Sequence, residues 1–348
     1  MTAIAAFEMD RAHEAHEPPE ARGLARDSVR LMVSRREDPP ESTVFSALPS
    51  MLEPGDVVVV NTSGTVPAAI DATLPDGRAI VVHVSTELPG GLWMVEPRSP
   101  LPGGATAPLT IDPVPTSVTL SGGVVIGLLR PAPSSNRLWL ATVDDRVDVV
   151  SLLQSRGRAI RYPYVERDWP IEHYQTVFAA EPGSAEMPSA ARPFTTTTVA
   201  DLVTRGITIV PLTLHTGVSS LEGHETPYPE RYRVPASTAA HVNAARAGGG
   251  HVIAVGTTVV RALESVADAA GVVHPGSGWT DVVITPERGV RAVDGLITGW
   301  HDPDASHLLL VESVAGEVLT QRAYDEAVAH RYAWHEFGDS GLFLPERR

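Results

Sequence analysis

The sequence predicts an α/β protein with a mostly parallel sheet, helices on both of its faces, and a small antiparallel β-barrel inserted into the chain. Outside residues 66–150, β-branched apolar segments alternate with helical ones, as is typical of a parallel sheet covered by helices. Inside 66–150, short β-type segments alternate with turn sequences. We therefore expect residues 1–65 and 151–348 to form the α/β domain and 66–150 the barrel domain.

The N-terminal part contributes one clear strand. Residues 1–20 are polar and predict a mobile tail. The turn sequence at 52–56 then leads into Val57-Val58-Val59-Val60, whose β-branched side chains predict a buried strand.

The insert shows no helical period. Turn sequences such as Pro75-Asp76-Gly77 and Pro89-Gly90-Gly91 separate its β-type segments. These segments lie at 79–84, 92–95, 117–120, 124–129 and 138–143.

After residue 150 strands and helices alternate. Gly248-Gly249-Gly250 and Gly271 each follow a helical segment, and glycine is typical of helix ends. The predicted strands are 207–214, 251–255 and 282–284, and the predicted helices are 237–246, 257–270, 307–314 and 319–330.

Composition excludes several chemistries. The 348 residues include no cysteine and no lysine, which excludes thiol nucleophiles, cysteine metal sites, Schiff bases and the lysine of a phosphate-binding P-loop. A formal charge of -15 disfavours nucleic acid as a partner, although the arginines within 22–36 and 156–167 are either solvated or part of a local basic patch. No apolar segment is long enough for a membrane span or a signal peptide, so we expect a soluble cytoplasmic protein.

The clearest chemical signal is the step from strand 251–255 through Gly256 into a helix capped by threonine. Thr257 and Thr258 would stand at a helix start, where free N–H groups and the helix dipole attract anions. Arg261, one turn later, could clamp a carboxylate or phosphate. An ordinary capped helix with a surface pair between Arg261 and Glu264 explains the same spacing equally well.

Two histidines lie beside turns. His215 follows strand 207–214, and His301 lies in the turn-rich segment 294–303. Histidine titrates near neutral pH, so each is a candidate acid or base, although a lone histidine at a strand end is more often structural. The residues at 301–307 match no known metal-ligand spacing, so we predict no metal.

Short motifs follow one another along nearly the whole chain. The most specific are Val255-Gly256-Thr257-Thr258 with Leu263-Glu264-Ser265, and Gly276-Ser277-Gly278-Trp279-Thr280-Asp281. Others lie at 26–33, 54–61, 174–179, 213–217, 230–232, 293–303 and 338–339. Together they resemble the S-adenosylmethionine:tRNA ribosyltransferase-isomerase family of queuosine biosynthesis.

The resemblance implies both a fold and a reaction. The fold is an α/β domain carrying a β-barrel domain. In the reaction, the ribosyl part of S-adenosylmethionine moves to a 7-aminomethyl-7-deazaguanine base in tRNA and rearranges to an epoxycyclopentane, while adenine and methionine leave. S-adenosylmethionine is then a substrate, tRNA is the partner, and no metal is required. Such a reaction needs a base for the proton beside the sulfonium, an acid for adenine departure, and a pocket poor in water.

Several family motifs are altered. Thr62-Ser63-Gly64 replaces Asp-Thr-Arg, Pro193 replaces a histidine, Tyr228 begins a stretch that is usually His-Ser-Glu, and Asp304 replaces a basic residue. These changes weaken the case for RNA contact. Two alternatives therefore remain: a paralogue that uses S-adenosylmethionine or a related nucleoside on a small molecule without tRNA, and a non-catalytic nucleoside-binding protein on the same scaffold.

The spacing and the resemblance together give a set of candidate site residues. His215 and His301 are the acid and base candidates, and Thr257, Thr258 and Arg261 would hold an anionic or polar part of S-adenosylmethionine. Contacts to hydroxyl groups or adenine are expected from acidic residues, for each of which a structural role fits equally well: Glu230, Glu264, Asp281 and Asp294. The oligomeric state is not predicted.

Overall fold

The computed structural model describes residues 6–109, 116–133, 135–218, 228–303 and 305–345. The predicted fold class is confirmed: a mixed sheet has helices on both faces, and a closed antiparallel barrel is inserted after one of its strands.

The bounds of the elements are as follows. The strands are β1 (Arg30–Arg35), β2 (Glu41–Val44), β3 (Val57–Asn61), β4 (Ser63–Thr65), β5 (Ala69–Thr73), β6 (Ala79–Leu88), β7 (Leu92–Pro100), β8 (Thr106–Pro108), β9 (Ser117–Leu120), β10 (Val125–Pro131), β11 (Trp139–Thr142), β12 (Glu181–Ser184), β13 (Thr208–Leu214), β14 (Glu230–Val234), β15 (Val252–Val255), β16 (Gly276–Thr280), β17 (Gly295–Gly299) and β18 (Ser340–Leu344). The helices are α1 (Val149–Arg156), α2 (Thr196–Thr204), α3 (Ala236–Ala247), α4 (Thr257–Val266), α5 (His307–Ala315) and α6 (Glu317–Ala329).

Among the described residues the main sheet has the strand order β16-β14-β13-β3-β15-β17-β18-β1-β2. Its centre, from β13 to β17, is parallel, so the carboxyl ends of these strands reach one edge. β18 pairs with β17 antiparallel and with β1 parallel, and the outer strands β2, β14 and β16 are antiparallel to their neighbours. The sheet is therefore parallel at its centre and mixed outside it.

The valine run at the start of β3 explains why both faces of the sheet are covered. Successive side chains of a strand point to opposite faces. Val57 and Val59 belong to the core that also contains residues of α3, α4, α5 and α6. Val58 and Val60 belong to the core on the other face, with residues of α2 and the 3-10 helix Phe45–Ser50. All of these valines are buried, which is typical of a strand in the middle of an α/β sandwich.

The insert closes on itself. In the described part of the chain β11, β10, β9, β5, β6 and β7 form a ring, because β7 also pairs with β11, and β8 extends β7. Val149 and Leu153 of α1 pack into the barrel core. That helix begins just before the predicted domain boundary at residue 150 and continues beyond it. The domain boundaries themselves stay a prediction.

Two predicted elements differ in the structure. The helix predicted over 257–270 ends at Val266, because the Asp268 side chain accepts hydrogen bonds from the backbone of Ala270 at 2.9 Å and Val272 at 3.0 Å and turns the chain. The predicted strand 282–284 is irregular, and the Val282 carbonyl accepts from the Arg261 side chain instead of from a neighbouring strand.

The predicted polar tail is largely anchored over its described residues. Backbone hydrogen bonds join Trp334 to His13 at 2.9 Å and Ala15 to Trp334 at 3.2 Å. Across the described ranges, no helix combines the length and apolar character needed to cross a bilayer.

Candidate active site

A cavity of about 290 Å³ lies at the carboxyl edge of the parallel strands. Gly217 follows β13, Gly256 follows β15, and Gly299 ends β17; all of them line the cavity. Ligands of open α/β sheets bind at this edge. The volume is near the lower end of the roughly 300–1,000 Å³ typical of small-molecule sites.

The opposite wall comes from the chain that follows α1 and from segments packed on the barrel. Ile160, Tyr162, Val218 and Tyr228 line the cavity and also pack with the barrel core. The site therefore lies between the sheet edge and the barrel, and both must be folded for the cavity to exist.

The start of α4 forms one end of the cavity. Its N-cap is Gly256, not a threonine as predicted, and its φ of 90° is easy only for glycine. A side chain there would also approach Ala190 to 3.3 Å. Thr257 and Thr258 line the cavity as the first helical residues, so their N–H groups have no acceptor within the helix. Asn61 donates to Thr258 Oγ1 at 3.3 Å and fixes that side chain.

Arg261 forms an ion pair with Glu230, so the alternative pairing with Glu264 is wrong. Both residues line the cavity and are largely buried. Arg261 also donates to the carbonyls of Val282 at 3.2 Å and Thr280 at 3.3 Å, and Glu230 accepts from the Gly217 backbone at 2.9 Å. These bonds hold a guanidinium and a carboxylate in fixed positions at the cavity wall.

Glu264 lies away from the cavity. Its carboxylate accepts hydrogen bonds from the backbone of Arg291 at 2.7 Å and of Ala292 at 2.8 Å, and from Arg288 Nη1 at 2.9 Å. The side chain is buried and its hydrogen bonds fix the loop before β17. This placement corresponds to the structural role that the sequence left open.

Asp294 and Asp281 also lie away from the cavity. Asp294 precedes β17, and its carboxylate accepts from the Val252 backbone at 2.9 Å at the amino edge of the sheet. Since a strand rises roughly 3.3 Å per residue, β17 separates Asp294 from the cavity edge by about 15 Å. Asp281 follows β16 and is exposed.

His215 lies behind the cavity wall, where Ser63 contacts its Nδ1 atom at 2.7 Å and Ser184 contacts Ser63 at 2.6 Å. Gly183 packs against the ring so closely that a side chain there would clash with it. Burial, with the nearby Arg231 guanidinium, lowers the pKa of His215 to about 4. The imidazole is therefore neutral at pH 7, and the altered motif at 62–64 supplies its hydrogen-bond partner.

This buried histidine predicts a loss of stability in acid. Above pH 6.5 the His215 ring is neutral in both the folded and the unfolded chain. Below pH 6.5 the ring of the unfolded chain binds a proton, whereas the ring of the folded protein binds one only near pH 4. The free energy of unfolding should therefore fall by about 3 kcal/mol between pH 6.5 and 4 because of this residue. Urea unfolding of His215→Gln should show a drop smaller by that amount, whereas exposed His241→Gln should keep the full drop. An unchanged drop in His215→Gln would contradict the assignment.

His301 and His307 face each other in the cavity. Their rings are nearly parallel, with centroids 4.9 Å apart and an interplanar angle of 19°, and His301 Nε2 forms a 2.9 Å hydrogen bond with Thr298 Oγ1. Burial lowers the pKa of both rings, and for His301 the neighbouring His307 and His335 add to that effect. Neutral imidazoles have a free lone pair, so they can accept a proton.

The sequence analysis missed a polar cluster that lines another part of the cavity. Tyr164, Tyr174, His335 and Glu336 line it, and Tyr164 donates to Glu336 Oε2 at 2.6 Å. The His335 ring stacks on Tyr164 at 4.0 Å, and its backbone φ is 71°, which is uncommon outside glycine. No local motif marks these residues, because 164–174 and 335–336 meet only in the folded protein.

The altered motifs have different places in the structure. Tyr228 lines the cavity and donates to the Val218 carbonyl at 2.6 Å, whereas Pro193 is buried away from it. Asp304 lies outside the described residues. In the ranges that are described, no three His, Asp or Glu side chains converge to hold a metal ion.

Several arginines of the two sequence clusters form ion pairs. Acidic partners lie at 2.8–3.2 Å from them, in the pairs Arg26–Glu20, Arg30–Asp339, Arg158–Asp71 and Arg161–Asp168. Arg22 and Arg167 meet at a second cavity of about 700 Å³, which acidic side chains also line. Neighbouring carboxylates therefore balance part of the positive charge of both clusters.

The sequence that forms this cavity matches the profile of a known protein family. The profile of the family described as queuosine biosynthesis protein matches residues 4–343. The chain belongs to this family. A relative from Symbiobacterium thermophilum named S-adenosylmethionine:tRNA ribosyltransferase-isomerase is 37% identical over 335 residues, covering 92% of this chain and 94% of the relative. One with the same name from Thermus thermophilus is 36% identical over 356 residues, covering 96% and 99%.

A solved structure from the queuosine biosynthesis family has a similar fold. The crystal structure of S-adenosylmethionine tRNA ribosyltransferase from Thermotoga maritima is 27% identical, with a TM-score of 0.54 over 98% of this chain and 99% of that one. The aligned residues include both the sheet and the barrel of the protein described here.

Proposed function

We propose that this protein transfers and isomerises the ribosyl group of S-adenosylmethionine onto a 7-aminomethyl-7-deazaguanine base of tRNA, with release of adenine and methionine. The observation that carries this proposal is the convergence of separate family motifs on one cavity. Segments 216–217, 256–261 and 298–301 come from different parts of the chain and line it together.

The α4 end of the cavity suits the polar groups of S-adenosylmethionine. The free N–H groups of Thr257 and Thr258 and the Arg261 guanidinium are donors for the methionine carboxylate. Glu230, held by Gly217 and Arg261, can accept from ribose hydroxyl groups. Since the ion pair is fixed by several hydrogen bonds, little ordering remains to be done when the substrate binds.

His301 is the candidate base. The transfer begins with loss of a proton from carbon beside the positively charged sulfonium, and a neutral imidazole is in the correct protonation state to accept it. Burial keeps the pKa of His301 low, so the base is available at neutral pH. His215 is not among the residues that line the cavity, so we assign it a structural role in support of the segment 216–218.

The tRNA base that accepts the ribosyl group would bind to a protein with a negative net charge. With a charge of -15 and many arginines already paired, affinity for RNA must depend more on the modified base than on phosphate neutralisation. We therefore propose a tRNA substrate whose target base is taken out of its stack and read inside the cavity, as enzymes that modify bases do.

The test is adenine and methionine release from S-adenosylmethionine, followed by chromatography. We expect release with an anticodon stem-loop that carries the aminomethyl-deazaguanine, and none with the same stem-loop carrying guanine. Release that does not depend on RNA would favour a small-molecule acceptor instead. Absence of release together with absence of S-adenosylmethionine binding would reject the proposed activity.

A further inference from the structure

A polar end of the cavity has no role in the proposal so far. Tyr164 and Tyr174, together with His335 and Glu336, form its wall. Tyr164 is fixed between two rings, with Tyr162 at 5.7 Å and His335 at 4.0 Å, and both interplanar angles are below 15°. A side chain clamped in this way holds its hydroxyl group, and the carboxyl group bonded to it, in a defined position.

Burial of the Glu336 carboxyl group outweighs the groups that favour its charged form, which are the Tyr164 hydroxyl, the Glu336 backbone N–H and the charges of His335 and Arg192. The Glu336 side chain accepts from the Tyr164 hydroxyl at 2.6 Å, and within the described ranges no arginine or histidine forms an ion pair with it. Burial raises the pKa of Glu336. A raised pKa favours the protonated form, and a protonated carboxyl group can donate a hydrogen bond or a proton.

The same part of the cavity holds a buried donor without an acceptor. The Tyr174 hydroxyl has no hydrogen-bond partner among the described residues, and Tyr174 is a lining residue with 5% exposure. Buried polar atoms are rarely left unpaired in folded proteins, so a ligand with acceptor atoms would complete this site. Heteroaromatic ring nitrogens are acceptors of this kind.

We propose that this end binds the adenine of S-adenosylmethionine and that Glu336 is the acid that protonates adenine N7 as the bond between N9 and the ribose C1′ breaks. The inference rests on the proposed function. The electron pair of the N9–C1′ bond passes to the purine ring, the carboxyl proton passes to N7, and neutral adenine leaves. A lone pair of the ribose ring oxygen forms a second bond to C1′, which becomes an oxocarbenium carbon. The resulting Glu336 carboxylate keeps the hydrogen bond from Tyr164. The acceptor base cannot take this place, because a 7-deazaguanine has carbon at position 7 and no lone pair there.

The first arm of the test measures binding and does not require turnover. Isothermal titration of wild-type protein should show about tenfold tighter binding of adenosine than of 7-deazaadenosine, because only adenosine accepts at position 7. Glu336→Leu should lose that preference, and Glu336→Gln, whose amide still donates, should keep it. Glu14→Gln is the matched control, since Glu14 approaches His335 at 3.7 Å from outside this cavity. Equal binding of the two nucleosides by wild type would overturn the adenine subsite.

The second arm measures proton transfer. Glu336→Gln should release adenine at least a hundredfold more slowly than wild type, because an amide can bind N7 but cannot protonate it. Release within tenfold of wild type would overturn the role as acid, even if the binding preference remained. Wild-type protein that discriminates the nucleosides but releases no adenine would reject the proposed activity and leave the adenine subsite supported.

Discussion

Replacing His301 with alanine should lower the rate of adenine release by about 10²- to 10⁴-fold. The ring lines the cavity, is neutral at pH 7, and forms a hydrogen bond with the Thr298 side chain at 2.9 Å. Affinity for S-adenosylmethionine should stay within a few-fold, because the donors at the start of α4 are unchanged. Single-turnover assays with saturating substrate and RNA measure this directly.

The control for this prediction is His241→Ala. His241 is exposed on α3, so its loss should change neither turnover nor the unfolding temperature. Full turnover in His301→Ala would remove this residue from the mechanism. If circular dichroism shows that His301→Ala does not fold, the same assay should be made with His301→Gln, whose side chain is polar but is a poor base.

Arg261→Met should lower the free energy of unfolding by about 3–5 kcal/mol, because it leaves the buried Glu230 carboxylate without its cation. The same change should weaken binding of S-adenosylmethionine, since the guanidinium is a proposed donor to it. Urea unfolding measures the first effect and calorimetry the second.

The paired control is Arg233→Met. Arg233 also pairs with a glutamate, Glu181, but the side chains are about half exposed, so its loss should cost no more than about 1 kcal/mol. In addition, Arg261→Met combined with Glu230→Gln should recover part of the lost stability without recovering binding. Equal destabilisation by the Arg261 and Arg233 variants would contradict the prediction.

Much of the fold could be predicted because its signals are local. The run from Val57 to Val60 is apolar on both faces, and only a central strand needs that. The segment predicted over 117–120 coincides with β9. The end of α4 was missed because Asp268 stops it through side-chain hydrogen bonds that a count of apolar residues does not register.

The site was only partly predictable, for geometric reasons. Thr257 and Arg261 follow a parallel strand, so the carboxyl edge was the correct place to look. Asp294 comes before β17 and therefore lies at the amino edge of the sheet, opposite the cavity. The prediction that 294–303 is rich in turns did not include this strand, so it placed Asp294 and His301 together. Glu336 joins the cavity only because β18 brings the C-terminal segment back against the sheet, which no local pattern indicates.

The position of β18 also constrains how the protein is made. β18 is an interior strand of the sheet, bonded to β17 on one side and to β1, more than 300 residues earlier, on the other. Until residue 344 emerges, the nascent chain carries two unpaired strand edges and lacks the turn that holds His335 and Glu336. The active cavity therefore forms only after β18 has been synthesised, and a chain that stops before residue 340 loses the strand that joins β1 to β17.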